Sequence, residues 1–182
     1  LAQIGKFARI ARDLLAELGA LDRQGQPTAH GRAMAKLGLH PRLAHMILAG
    51  RDRGIGRLAA DAAAILSDRD IFRGQERDAD LRTRIAALRG EREDATAVDR
   101  GALAQARELA RQWARLAGIG KHEGPVSLSR AGEVVALAYP DRVAQARTDG
   151  RGQFRLVNGR GAGLPETDAL AREAYLTVAS LD

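Results

Sequence analysis

The stretch LDRQGQPTAHGRAMAKLGLHPRLAHMIL, residues 21–48, decides how the N-terminal part of the chain folds. Gly25 supplies turn chemistry between two short extended pieces, which predicts a small hairpin. Thr28 is typical of a helix N-cap and precedes the apolar positions of a short helix. Pro41 predicts the start of a second helix, because it forces His40 out of the α region into an extended conformation. The stretch therefore predicts a hairpin followed by two consecutive helices.

The order of residues in this stretch resembles the segment that follows the motor in DEAH-box helicases. In that family the segment links a winged helix to a helical ratchet domain. Pro27 stands here where the family has leucine, and Gly38 stands where it has proline. The match is closest to the bacterial HrpB-type helicases, whose version also reads LHPRLAHM, as residues 39–46 do. This resemblance implies that the chain is one part of a larger protein.

Composition favours close-packed helices. Apolar residues make up 45% of the 182 residues and aromatic ones only 3%, so Ala, Leu, Ile and Val must build the core. Basic residues outnumber acidic ones by 29 to 23, and only Lys6, Lys36 and Lys121 among them are lysines. Arginine suits bidentate contact with phosphate, but an arginine- and alanine-rich genome explains the same excess. Net charge alone is a weak indication of a nucleic-acid partner.

Several classes of protein are disfavoured by what the sequence lacks. Without cysteine there is neither a disulfide framework nor a thiolate metal site. No apolar run approaches the ~20 residues of a membrane span, and no signal peptide is present, so we expect a cytoplasmic protein with no membrane partner. The four histidines lack a carboxylate at ligand spacing, so no metal site is expected. Because the first residue is Leu1 rather than Met, we expect a fragment of a longer chain.

Helical periodicity covers most of the chain. Residues 7–20 form an amphipathic pattern with Phe7 and Ile10 on its apolar side, and residues 41–118 read as four helices. After Gly118 we expect a linker over 118–126, a helix ending before Pro140, and a second short helix. The elements predicted after residue 40 include helices at 41–54, 57–67, 79–89, 99–116 and 141–147, strands at 153–158 and 175–181, and a Gly-rich turn at 159–163.

The C-terminal strings strengthen the resemblance. YPDR (139–142) and FRLVNGRGAGLPETDAL (154–170) are similar to the end of HrpB-type helicases, where they lead into a small OB-type barrel. The expected fold class is mainly α: a winged-helix remnant at 1–40 and a four-helix ratchet-like bundle at 41–118. A small α+β part, an incomplete OB-like unit, follows at 119–182. The resemblance covers roughly residues 8–182.

The fourth predicted helix of the bundle carries the sharpest chemical signal. One of its faces is apolar at 3.6-residue spacing and includes Trp113, which we expect in the core rather than as a base-stacking platform. A separate stripe carries four guanidinium groups, the last three about 6 Å apart along the axis, which suits successive phosphates of a single strand. These arginines are Arg100, Arg107, Arg111 and Arg115. A solvated face, with Glu108 paired to Arg111, explains the same pattern.

Two further arginines are candidates for nucleic-acid contact. Arg82, on the third predicted helix of the bundle, could extend the basic surface, although ordinary solvation of a helix explains it equally well. Arg160 lies at the tip of the run NGRGAG, which lacks the GK[ST] ending of a phosphate loop and predicts a hairpin turn. At the tip of this turn we expect Arg160 to contact backbone phosphate.

The resemblance implies an accessory C-terminal region of an ATP-dependent helicase that guides single-stranded RNA or DNA. Its partners would be that strand and the motor domains of the same polypeptide, which would hold ATP and Mg²⁺. The sequence contains no Walker A, DEAH-like or arginine-finger motif, so we expect no enzyme activity and no cofactor in this chain alone. Two other interpretations stay open: a stand-alone winged-helix regulator of duplex DNA, and a non-catalytic scaffold.

Overall fold

A computed structural model of the chain describes residues 2–73, 78–91, 98–120, 126–148 and 150–180. The chain is mainly α with a small β part, as the sequence predicted. Its helices are α1 (Ala2–Glu17), α2 (Ala29–Leu37), α3 (Pro41–Asp52), α4 (Gly56–Leu66), α5 (Leu81–Arg89), α6 (Arg100–Leu116) and α7 (Ala131–Ala138). Its strands are β1 (Val143–Ala146), β2 (Gln153–Leu156), β3 (Gly161–Gly163) and β4 (Tyr175–Thr177).

The hairpin and the two helices predicted around residues 21–48 are present. Leu21 and Pro27 form an isolated antiparallel bridge that closes the hairpin. The Thr28 hydroxyl caps α2 by accepting a hydrogen bond of 2.9 Å from the backbone N–H of Gly31. Pro41 opens α3, as expected from its fixed φ angle. Local capping chemistry therefore sets these boundaries.

Helices α3 and α4 form the centre of the bundle, and α6 and α7 pack against them. The alanines of α4 let neighbouring helices approach closely: a Cβ added to Gly50 of α3 would lie 2.8 Å from the Ala59 Cβ. Larger side chains fill the remaining space around this contact. The fully buried ones include Met46, Ile47, Leu48, Ile55, Leu58, Ile71, Ile85 and Val134. The expected core of small and aliphatic side chains is what the structure shows.

The C-terminal strands form an antiparallel sheet in the order β3-β2-β1-β4. Its buried face rests on Ala144, Phe154 and Leu156, and α7 contacts β4. The predicted helix over 141–147 is wrong, because residues 140–142 form one 3-10 turn and β1 follows at once. Hydrogen bonds from strands on both sides of β1 outweigh the helical preference of its alanines.

Helix α1 differs from the prediction at its N-terminal half. Phe7 and Ile10 belong to the apolar side of the predicted helix, yet they are 64% and 53% exposed. Only the later apolar residues of the helix, Leu14, Leu15 and Leu18, pack against the main core. The amphipathic pattern predicted the helix correctly, but a periodic apolar face does not by itself bring a partner element to every turn.

Several other predicted boundaries move by a few residues. The Gly-rich run predicted as a turn over 159–163 supplies β3, so the turn is shorter, and β4 ends at Thr177. The predicted linker over 118–126 lies partly outside the described residues, and Lys121 and His122 lie wholly outside them. The winged-helix and OB-like assignments, and the three domain ranges, stay predictions.

Candidate nucleic-acid interface

Helix α6 is fixed at its start by Asp99. One carboxylate oxygen of Asp99 accepts hydrogen bonds from the backbone N–H groups of Gly101 (2.9 Å) and Ala102 (3.0 Å). The bond from Ala102 is the main reason why the pKa of Asp99 lies below its usual value. Asp99 also donates its backbone N–H to the Ile71 carbonyl at 2.7 Å. These bonds cap the N-terminus of α6 and hold it against the segment that contains Ile71.

The outward side of α6 carries the polar residues that we call the exposed arc. Arg111 and Arg115 lie one turn apart on it, about 6 Å along the axis, and Arg100 lies about 16 Å further toward the N-terminus. The arc consists of Arg100, Gln105, Glu108, Arg111, Gln112 and Arg115, all exposed. The Glu108 carboxylate lies 2.6 Å from an Arg111 guanidinium nitrogen, and this bond lowers the pKa of Glu108. Three guanidinium groups therefore face solvent with one carboxylate among them.

Arg107 is separated from the other three arginines of the predicted stripe. Its Nε donates to the Leu88 carbonyl at 2.7 Å and its Nη2 to the Ala87 carbonyl at 3.3 Å. Both carbonyls belong to the last turn of α5, whose carbonyls lack the i+4 partner of a helix interior, and that of Ala87 also accepts from the Gly90 N–H at 3.1 Å. The expectation of four solvent-facing guanidinium groups is therefore wrong in this respect: Arg107 joins α6 to α5, and three arginines remain exposed.

The other two candidate arginines lie on different elements. Arg82, in the first turn of α5, forms an ion pair of 2.7 Å with Asp80, and hydrogen bonding to Asp80 raises the pKa of Arg82. Arg160 is exposed in the turn between β2 and β3, where its carbonyl accepts from the Leu156 N–H at 2.9 Å. The role of both residues in nucleic-acid contact stays a prediction.

The inner face of α6 agrees with the predicted apolar pattern except at one end. Trp113 is 6% exposed and belongs to the main core, together with Ala106, Ala110 and Ala117. Leu116 continues the apolar spacing of this face, but it is 50% exposed. The exposure is local to Leu116, because Ala114 and Ala117 beside it are buried.

Two more arginines of α5 have structural partners that sequence reasoning missed. Arg84 forms an ion pair of 2.6 Å with Asp70 and stacks over Phe72. Arg89 donates from Nε to the buried carboxylate of Asp61 at 2.9 Å and from Nη1 to the Val126 carbonyl at 3.0 Å. The one signal in the sequence was an aspartate within the otherwise apolar helix α4.

Membrane-spanning helices and metal-binding clusters are absent from the part of the chain that the structure describes. None of its helices combines the length and the apolar composition that a bilayer span requires. No three His, Cys, Asp or Glu side chains come together in a metal-binding arrangement within the same residues. The cytoplasmic location stays a prediction.

Comparison with known proteins bears directly on this helical region. Residues 40–120 match the family described as "Helicase associated domain (HA2), ratchet-like". The chain is 32% identical over 167 residues to "ATP-dependent RNA helicase HrpB" of Escherichia coli (strain K12), an alignment that covers 91% of this chain and 18% of that protein. The family match thus spans α3 through α6.

Solved structures of helicases agree with this assignment. The crystal structure of E. coli DExH-box NTPase HrpB aligns with a TM-score of 0.69 and 30% identity, over 91% of this chain and 18% of that one. The crystal structure of Escherichia coli DEAH/RHA helicase HrpB gives a TM-score of 0.70 and 31% identity, over 92% and 18%. This chain corresponds to the C-terminal region of an HrpB-type helicase, and it spans 18% of the length of these relatives.

Proposed function

We propose that this chain is the accessory region through which an ATP-dependent helicase guides a single strand of RNA or DNA. The motor domains of the same polypeptide would supply ATP hydrolysis with Mg²⁺. The observation that carries the proposal is the exposed arc of α6, which presents Arg111 and Arg115 on adjacent turns of a helix whose opposite side is buried. That helix lies within the ratchet-like match.

The electrostatics of the arc suit a nucleic-acid backbone more than a specific sequence. Arginine side chains make planar, bidentate contacts with phosphate, and such contacts position a strand without identifying its bases. Glu108 competes with phosphate for Arg111, because its carboxylate is 2.6 Å away. The similarity to a protein named as an RNA helicase supports RNA as the first strand to test.

The test is fluorescence anisotropy of short labelled single strands, RNA and DNA, measured with this chain across a salt series. The test variant is Arg111→Glu/Arg115→Glu, with Arg107 left in place because it holds α5. Losing two phosphate contacts should reduce the slope of log K against log salt by about 1.4 for a single strand, and affinity should fall at every salt concentration.

The matched control is Arg9→Glu/Arg12→Glu, which changes the net charge by the same amount on the exposed part of α1. The proposal requires the control to bind like the wild type apart from a small uniform loss. Glu108→Gln should tighten binding, because it releases Arg111. Equal losses in the control and in the α6 variant would mean that general charge, and not the arc, accounts for binding.

A duplex of the same sequence separates the helicase interpretation from the regulator and the scaffold. A single-strand guide prefers the labelled single strand, and a winged-helix regulator prefers the duplex. A scaffold binds neither at low salt. The similarity to helicase structures over 91% of the chain does not favour the last two interpretations.

A further inference from the structure

The C-terminal sheet has a second face, which is exposed to solvent. Alternation along the strands separates it from the buried face formed by Ala144, Phe154 and Leu156. We call it the open sheet face, and its exposed members are Gln145, Gln153, Arg155, Gly161, Gly163 and Tyr175. A Cβ added to Gly161 on the edge strand β3 would meet nothing within 4 Å, so the face is flat and accessible on that side.

One row of the open sheet face crosses all four strands. The register places Tyr175 of β4 opposite Gln145 of β1. Gln145 in turn lies opposite Arg155 of β2, and Arg155 lies opposite Gly161 of β3. Opposite Cβ atoms of antiparallel strands lie about 5 Å apart, so two strand spacings put Tyr175 and Arg155 about 10 Å apart. The row therefore presents an aromatic ring, an amide and a guanidinium group in line.

The ring of Tyr175 is available for contact. Tyr175 is 64% exposed, whereas Trp113 and Phe154 are buried in the two cores. Gln145 donates from Nε2 to the Tyr175 hydroxyl at 3.4 Å, which ties the edge of the ring to the neighbouring strand. A bond at the hydroxyl leaves the π-face of the ring for a planar ligand, and covering apolar surface removes it from water at a gain in free energy.

The charge around this row favours an anionic ligand. Residues 143–163, which run from β1 to β3, contain four arginines and one acidic residue. The exposed arginines among them include Arg151, Arg155 and Arg160. The exposed Glu173, two residues before Tyr175, has a basic neighbour on α5, because hydrogen bonding to Asp80, and more weakly the charge of Glu173, raises the pKa of Arg82. Positive charge is therefore in excess on the side of Tyr175 where β1 to β3 lie.

We propose that the open sheet face binds single-stranded nucleic acid, with one base stacked on Tyr175 and a neighbouring phosphate held by Arg155. Stacking on an aromatic ring is open to every base, and arginine holds phosphate through planar, bidentate contacts. Gln145 lies between the two and supplies amide groups that hydrogen-bond the sugar. The inference rests on the proposed function for the class of ligand, and it adds a base-binding site on an element other than α6.

The experiment compares a labelled single strand with an abasic strand of equal length, by fluorescence anisotropy with this chain at low salt. The test variant is Tyr175→Thr, which removes the ring and keeps a residue suited to a strand. We expect it to bind the base-containing strand at least about fivefold more weakly and the abasic strand as the wild type does. Tyr175→Phe keeps the ring and should bind both strands normally. The matched control is Phe7→Ala, which removes an equally exposed ring from α1 and should also bind both strands normally.

A second variant, Arg155→Glu, tests the phosphate contact. It should weaken binding of both strands and reduce the slope of log K against log salt by about 0.7, the value for one phosphate on a single strand. Its control is Arg23→Glu in the hairpin before α2, another exposed arginine, which makes the same change in net charge. Equal losses in Arg155→Glu and Arg23→Glu would refute the role assigned to Arg155.

The outcomes separate this site from the exposed arc. If Tyr175→Thr binds both strands like the wild type while Arg111→Glu/Arg115→Glu loses affinity, the stacking site is wrong and the proposed function stands. Loss in Tyr175→Thr with none in the α6 variant would support the open sheet face and refute the arc. Equal losses in Tyr175→Thr and Phe7→Ala would also overturn the stacking site. If no strand binds at low salt, both proposals are wrong.

Discussion

Two groups of arginines lie within a few turns of each other and have opposite surroundings. Where α5 meets α4 and α6, Arg89 and Arg107 are half-buried and bonded to a carboxylate and to main-chain carbonyls. On the exposed arc, Arg111 and Arg115 face solvent. The same guanidinium group therefore stabilises the fold in one region and is available to an anionic ligand in the other.

The difference shows what separates a structural cation from a binding one. Asp61 is 1% exposed, and one of its carboxylate oxygens has no hydrogen-bond partner among the described residues. Burial raises the pKa of Asp61 although Arg89 opposes that shift. Arg89 is thus the main compensation for a buried charge, with Arg57 at 3.7 Å from the other oxygen. An arginine on the exposed arc has no comparable role in folding.

The largest expected effect comes from Arg89→Met. It removes the partner of the buried Asp61 carboxylate, which should lower the free energy of unfolding by roughly 3–5 kcal/mol. Urea denaturation followed by far-ultraviolet circular dichroism measures the loss. The double variant Asp61→Leu/Arg89→Met should regain most of it, because no buried charge remains. A double variant as unstable as the single one would contradict this account of Asp61.

Arg107→Met should have the second largest effect. It removes two hydrogen bonds to the end of α5, one of them at 2.7 Å, and should reduce the free energy of unfolding by about 1.5–3 kcal/mol. The control is Arg111→Met on the same helix, which should change stability little. If Arg107→Met unfolds at the same urea concentration as its control, the contact between α5 and α6 does not stabilise the protein.

The His30–His45 pair differs from both groups of arginines, because the charge of histidine depends on pH near neutrality whereas arginine is always charged. His30 Nε2 and His45 Nδ1 are 2.9 Å apart, joining α2 to α3. Burial, the neighbouring His30 and Arg53 lower the pKa of His45 below 6.5, against a hydrogen bond to the Leu18 backbone that raises it. The unfolded chain therefore takes up the proton first, so stability is lost as pH falls through 6.5 toward the lowered value.

Thermal unfolding between neutral and mildly acidic pH measures this loss. His30→Gln/His45→Gln should weaken the dependence on pH in that range, and the part that remains is expected from His40, whose pKa is also lowered by burial. A variant that keeps the full pH dependence would show that other groups are responsible.

The smallest effect on stability is expected for Arg111→Glu/Arg115→Glu. Exposed substitutions away from caps and buried networks change stability little, so the melting temperature should shift by less than about 2 °C. Differential scanning fluorimetry measures the shift. The same variant should lose single-strand affinity. Binding should therefore change without stability at Arg111 and Arg115, whereas substitution of Arg107 should lower stability. A large drop in melting temperature would place these arginines with the structural group.

Features whose partners lie a few residues away could be predicted from the sequence. The Thr28 cap, the hairpin before it, the start of α3 at Pro41 and the amphipathic helix α6 all follow from contacts within a few residues, and each is present. The resemblance to HrpB-type helicases rested on the same local strings. Such signals are readable because their partners are fixed by short spacing along the chain.

Which arginines are free to bind a ligand depends on how distant elements pack, and local sequence does not show it. Helical spacing places Arg107 and Arg111 on the same side of α6. Arg107 nevertheless bonds to the end of α5, whereas Arg111 is exposed to solvent. Likewise β1 forms where a helix was expected, since β2 pairs with one of its edges and the more distant β4 with the other. The physical reason is common to both cases: the decisive partner is distant in sequence, and no local pattern records where it will lie.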